Sequence, residues 1–285
     1  MIIWLASYPK SGNTLVRSML SAYFFSKDGI YNFDILNNII QFPNLKLFEK
    51  LNIDPNNNDE IIKNYINVQK TINQKNSVQF LKTHSYLFNF YNKYPFTDLN
   101  VSLGVIYIVR DPRNIISSLA DFGSESNEAA VDVITSMNKW GGNLNSNIEN
   151  ERTTTYVGTW GSNYKSWKSF KKPNKYLLIK YEDLISNKEK IFLEILKFIY
   201  RLRGSKFVIN EEKFKNVITT TDFKYLQNLE KKEEFKEANV EKITGKKIPF
   251  FNQGSKRNWE RTLDKKIKEK IEKIFKEEMI ELDYL

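Results

Sequence analysis

The sequence predicts a three-layer α/β fold, a central parallel β-sheet flanked by helices, and three observations predict it. Short apolar runs rich in β-branched residues recur along the chain, each followed by a polar turn or a helical pattern, the alternation that builds parallel sheets. One of them, Gly104 to Val109, is apolar throughout and fits a strand buried on both faces. Residues 2–25 read as strand, polar turn and helix in direct succession, a P-loop-like cradle for a phosphate.

Taken in order, Ile2 to Ser7 is the first strand and Tyr8 to Thr14 the turn. There Gly12 allows close backbone approach, Lys10 adds a point charge, and Pro9 lies outside the helix, where it interrupts no hydrogen bond. Leu15 to Phe25 runs apolar at helical spacing. An Asn-rich stretch, Tyr31 to Asn76, carries helical pieces at Ile35 to Ile40 and Asp59 to Ile72, separated by Pro43 and the turn cluster Asp54 to Asn58. Val78 to Lys82 is a second strand, ending in Thr83 and His84. The third, Gly104 to Val109, breaks at Arg110 to Asn114, and Ile115 to Phe122 then reads as helix, with Pro112 near its start. Residues 121–165 carry little periodic signal, although Trp160 and Trp167 stand at core spacing; Trp167 is assigned to the core, Trp140 and Trp160 are left open. Tyr176 to Lys180 is the fourth strand. Asn187 to about Arg203 is an amphipathic helix that Gly204 stops. Residues 205–250 read as charged and irregular, and Leu263 to Leu282 as a final amphipathic helix. No repeat and no strong linker divides residues 1–285, which read as one domain.

Composition narrows the chemistry. The absence of cysteine excludes disulfides and thiolate metal sites, and His84 is the sole histidine, so no metal is expected. The net charge of +10 favours anionic partners, although many lysines alternate with glutamates on helix faces, as in Lys265 to Glu278. No signal-peptide pattern and no run near the roughly 20 apolar residues of a membrane span are present, so the expectation is a cytoplasmic protein.

Parallel sheets bind ligands beyond the carboxyl ends of their strands. Lys10 follows the first strand, Lys82 and His84 end the second, Arg110 ends the third and Tyr181 the fourth. Three cations, a histidine and a phenol therefore converge on one sheet edge.

With those residues placed, the chain resembles the sulfotransferases that use 3′-phosphoadenosine 5′-phosphosulfate (PAPS) and release adenosine 3′,5′-bisphosphate (PAP). Tyr8 to Thr14 is similar to their 5′-phosphosulfate loop, which implies Lys10, Ser11, Gly12, Asn13 and Thr14 as donor-binding residues. Lys82-Thr83-His84 resembles their lysine and catalytic histidine, and Arg110 with Ser118 matches the spacing of their 3′-phosphate pair. Tyr181-Glu182-Asp183 matches their segment after the fourth strand. Thr221-Asp222-Phe223 is similar to their adenine-side segment, and Gly254 with Asn258-Trp259 to the late loop that closes over the nucleotide, here residues 250–262. Two positions depart from the pattern. Leu15 stands where an adenine-stacking Trp is common, and Asn252 and Gln253 replace the Arg and Lys before the late Gly, with Lys256 and Arg257 as candidate substitutes. The short dimerisation motif near the C-terminus of many animal relatives is not found.

The resemblance implies in-line sulfuryl transfer from PAPS to a hydroxyl or, second, an amine on a small-molecule, lipid or sugar acceptor. His84 is the general base, and Lys10 and Lys82 neutralise charge on the leaving phosphate. Segments 31–76 and 121–165 are expected to wall the acceptor pocket. A P-loop kinase or NTPase using ATP and Mg²⁺ is the rival enzyme reading, with Asp111 as the candidate Mg²⁺ ligand, but Lys10 precedes Gly12 instead of following a Gly-x-x-x-x-Gly run. A basic nucleic-acid binder is the non-enzyme rival. It has the charge but no basic stripe interleaved with aromatics, so no nucleic-acid partner is expected.

Overall fold

The computed structural model describes residues 1–54, 56–74, 77–123, 126–137, 139–140 (backbone), 154–240, 245, 247–252, 254 and 258–285. Among these, four strands form a parallel sheet: β1 (Ile2–Ser7), β2 (Gln79–Thr83), β3 (Ser102–Val109) and β4 (Tyr176–Lys180), in the order β2-β1-β3-β4. Every pairing is parallel, and the register runs from Ile2 beside Gln79 and Ser102 to Val109 beside Lys180. β1 thus lies in the middle of the sheet, and its carboxyl end delivers the turn 8–12 to the centre of the edge.

Alternation of side chains across the strands makes the three layers. Ile2, Trp4 and Ala6 of β1, with Val105, Tyr107 and Val109 of β3, pack on one face. Ile3, Leu5, Ile106 and Ile108 pack on the other. The first face is covered by α2 (Pro112–Gly123), α3 (Trp160–Trp167), α8 (Lys265–Ile274) and α9 (Lys276–Glu281). The second is covered by α1 (Asn13–Phe25), α5 (Lys188–Leu202), α6 (Glu211–Thr220) and α7 (Phe223–Lys232). α4 (Tyr181–Ser186) follows β4 without a break. Trp4 anchors the first layer: its ring sits among Phe42, Phe96 and Trp167, and its Nε1 donates to Ser102 Oγ at 2.8 Å, so a large apolar body is buried with its polar tip satisfied. Trp160, left open by sequence, is also core and meets Phe275 edge-on.

Four expectations need correction. Ile35 to Ile40 is a 3₁₀ turn, Asp34–Asn38. Asp59 to Ile72 is two helices, Asn58–Lys63 and Tyr65–Asn73, broken at Asn64, whose Nδ2 donates back to Glu60 O at 2.9 Å. The charged stretch 205–250 holds α6 and α7. Asn210 Oδ1 caps the first by accepting from Lys213 N, and Asp222 Oδ1 caps the second by accepting from Lys224 N. The final helix breaks at Phe275 into α8 and α9, because Phe275 turns in to pack on Trp160. No described helix is long and apolar enough to cross a membrane.

Candidate active site

The turn after β1 is held in a shape that few residues tolerate. Lys10 has φ +65° and Gly12 φ +95°. A Cβ on Gly12 would stand 2.3 Å from Cδ2 of Tyr181, so the ring closes directly over the turn. Asn13 Nδ2 donates to Leu5 O (3.0 Å) and Ser7 Oγ (3.1 Å), pinning the start of α1 to β1. Ser11 Oγ is fully buried in this turn with no hydrogen-bond partner among the described residues. A buried hydroxyl with an unmet bond, beside a helix N-terminus, suits an anionic oxygen.

Around the turn a cavity of about 380 Å³ opens at the carboxyl ends of the strands, within the ordinary size range of ligand sites. Its wall contains Lys10, Gly12, Asn13, Thr14, Lys82, His84, Arg110, Ser118, Tyr181, Thr221, Phe223 and Gly254, so residues from six separate parts of the sequence face one space. Ser11 lies beneath the wall, not in it. Lys256, Arg257 and Gln253 lie outside the described residues, as does the side chain of Trp140.

His84 is set by both of its neighbours. Its Nδ1 lies 2.9 Å from Ser7 O, and a carbonyl only accepts, so Nδ1 carries the proton and the basic lone pair is on Nε2. Its backbone is clamped from α3: Asn163 Nδ2 donates to His84 O (2.9 Å), Tyr107 Oη donates to Asn163 Oδ1 (2.9 Å), and Trp167 Nε1 donates to Ser85 O (3.0 Å). Lys82, two residues earlier, is buried, and residues 40–42 pair alongside it as an extra edge.

Arg110 is also buried. Its Nη1 donates to Lys10 O at 3.1 Å and its guanidinium lies 4.4 Å from the centre of the Tyr181 ring, so turn, β3 and β4 are locked together. The Lys10 ammonium sits 4.1 Å from the Phe122 ring centre and 4.9 Å from that of Phe250, which gives the charge a defined place. Thr221 Oγ1 donates to Val217 O (2.6 Å), which leaves it acceptor capacity toward a ligand. A Cβ on Gly254 would meet the Phe223 ring at 2.5 Å, so the late loop rests on that ring. Lys188 lines the cavity beside Asp222 (3.9 Å), and burial pushes its ammonium below the ordinary lysine value.

Sequence reasoning missed Glu237. Its carboxylate lines the cavity, lies 2.5 Å from Arg17 Nη1 and 3.5 Å from Lys82 Nζ, and is largely buried. No local pattern marks it, because its significance comes only from residues 220 and 155 positions away. Phe122 was findable: it stands one helical turn after Ser118. Asp111, the candidate Mg²⁺ ligand, does not line the cavity. Its carboxylate is taken by Arg113 through N, Nε and Nη2 at 2.7–3.2 Å, which removes the one residue that favoured the NTPase reading.

A parallel α/β sheet with an anion turn, a lysine–histidine pair and a buried arginine along one edge defines a group-transfer enzyme of the P-loop-like class. The chain matches the model of the sulfotransferase domain over residues 2–283, and it belongs to that family; its chemistry is sulfuryl transfer. No curated protein sequence matches the chain significantly. In fold it is similar to mouse sulfotransferase SULT7A1 solved in complex with PAP (18% identity, TM-score 0.60), with 98% of this chain and 84% of that one covered. It is similar also to retinol dehydratase in a complex with retinol and PAP (16% identity, TM-score 0.60), with 98% and 81% covered.

Proposed function

We propose that the chain transfers the sulfuryl group of PAPS to a hydroxyl, with an amine as the second acceptor type, and that His84 is the general base. The observation that carries this reading is a cavity whose wall holds His84, Lys82, Lys10 and Arg110 together. When bound, PAPS supplies an activated sulfuryl group on a phosphate leaving group.

This chain's residues divide the work. Lys10, Ser11, Gly12, Asn13 and Thr14 hold the 5′-phosphate end through the backbone N–H groups of the turn and the helix start. Arg110 and Ser118 take the 3′-phosphate, Arg110 as a planar fork and Ser118 as a hydroxyl donor. Tyr181 and Phe223 offer faces to the base, and Thr221 accepts from its amino group. Gly254 brings the late loop close. Lys82 and Lys10 meet the charge that grows on the leaving oxygen, and His84 Nε2 takes the acceptor's proton. The two neighbours solved with PAP support this donor, and the retinol-bound neighbour supports a small-molecule acceptor.

The test is PAP release from PAPS over a panel of phenols, sterols and sugars. At least one acceptor is expected to raise release by the wild type. His84→Ala is expected to lower that turnover by roughly 10²–10⁴ while PAP affinity holds, the usual size of a general-base contribution. Turnover within a few-fold of wild type would remove His84 from the role.

A further inference from the structure

Regular pairing between β3 and β4 ends at Val109 beside Lys180. Arg110 and Tyr181 are the first residues beyond that last pair, yet their side chains stack at 4.4 Å. Something other than the ladder must set the height of one strand end against the other. The next cross-link is a side chain: Asp111 N–H donates to Glu182 Oε1 at 3.1 Å. The second oxygen of the same carboxylate accepts from Tyr284 Oη at 2.9 Å.

The segment around Tyr284 is itself held from both sides, by Arg113 at the start of α2 and by Lys180 at the end of β4. Arg113 Nη2 donates to Tyr284 O at 2.8 Å while the same guanidinium grips Asp111. Lys180 Nζ donates to Leu282 O at 2.5 Å and lies 4.7 Å from the Tyr284 ring centre. Residues 282–284 thus bridge the segment that carries Arg110 and the one that carries Tyr181, with the Glu182 carboxylate as the shared node. Neither Glu182 nor Tyr284 lines the cavity.

We propose that Glu182 and Tyr284 are positioning residues for the Arg110–Tyr181 pair, and through it for the 3′-phosphate end of the nucleotide. This rests on the assignment of Arg110 to the 3′-phosphate made above. A guanidinium binds a phosphate through two parallel bonds, so its affinity depends on angle and offset more than that of a point charge does. Loosening the node lets the strand ends slide past each other and degrades that fit. The 5′-phosphate turn, built on β1 and α1, feels the change only at second hand, through the Arg110–Lys10 bond and the Tyr181 ring over Gly12.

The experiment is calorimetric titration of the full chain with PAP and with adenosine 5′-monophosphate, which lacks the 3′-phosphate. Tyr284→Phe removes one hydroxyl from a half-buried ring and keeps its packing. It is expected to weaken PAP about threefold to tenfold, a fraction of what one charged hydrogen bond contributes, and to weaken the monophosphate clearly less, because the monophosphate meets the Tyr181 ring but has no phosphate for the Arg110 fork. Glu182→Ala should weaken PAP further, and Glu182→Gln, which keeps one oxygen for the Asp111 N–H, less than Glu182→Ala. Glu281→Gln breaks the nearby ion pair with Lys168 (2.6 Å), outside the node, and is expected to leave the ratio of the two affinities as in wild type. Equal weakening of both ligands, or of neither, by Tyr284→Phe would overturn the positioning role and leave the donor assignment standing. A wild-type chain that binds the monophosphate as tightly as PAP would instead sink the assignment of Arg110, and this role with it.

Discussion

Glu237 is the residue whose chemistry runs against its surroundings. The cavity wall carries Lys10, Lys82, Arg110 and Lys188, yet a carboxylate stands in it 3.5 Å from Lys82 Nζ, the cation nearest to His84 in sequence. The fold explains the carboxylate without a ligand. Arg17 and Lys82 are both buried, and two buried cations without a counter-charge are unfavourable. When a phosphosulfate enters, the same carboxylate repels it. Glu237→Gln is therefore expected to tighten PAP about tenfold, below the few kcal/mol that one charge exerts at close range in a medium of effective dielectric about 20. The ligand-free protein should unfold at lower temperature, because Arg17 loses its partner. Calorimetry with PAP and a thermal melt without it read the two effects separately. Weaker PAP binding by the variant would mean that the carboxylate organises the site instead of opposing its ligand. At this scale the sequence was legible where chemistry is local: Lys10, Gly12 and Lys82-Thr83-His84 stand in short motifs. It was illegible for Glu237, whose partners are Arg17 and Lys82.

The elements divide along the same line. β1, β3, β4 and α5 were readable to within two residues, because each is buried on one or both faces and its apolar pattern is dense. α6 and α7 were missed because they are half-solvated helices whose few apolar residues, Phe214, Val217 and Ile218, then Phe223, Leu226 and Leu229, are diluted by lysine and glutamate. Their caps were the readable signal. Asn210 supplies the only described side-chain cap of α6, and its Oδ1 accepts from Lys213 N at 2.9 Å. Asn210→Ala is expected to destabilise the fold by about 1 kcal/mol, the usual loss for such a cap, read as a drop of roughly 2 °C in a thermal melt of a chain this long. A change under half a degree would show that packing alone holds α6. α6 ends at Thr220 and hands over to Thr221 in the cavity wall, so the same cap supports that part of the wall.

For the molecule as a whole, strand order decides where function sits. With β1 between β2 and β3, the turn 8–12 comes up between Lys82–His84 on one side and Arg110 on the other, and β4 brings Tyr181 in behind Arg110. Alternation of strands and helices announced that arrangement in sequence. What it withheld was the closure of the far wall, where Phe250 and Phe251 are fixed by Glu230 oxygens accepting from their N–H groups at 2.7 and 3.0 Å. Those contacts join turns to helices that had read as irregular. We propose that this wall and these strand ends enclose a nucleotide bearing a 3′-phosphate. Thermal unfolding with PAP, compared with ADP and with ATP plus Mg²⁺, tests it most directly. At 100 times its Kd a ligand stabilises by about 2.7 kcal/mol, which for a chain of this size is roughly 5 °C of midpoint. PAP is expected to give that shift and ADP a much smaller one; a shift with ATP and Mg²⁺ that PAP does not produce would rule the 3′-phosphate site out.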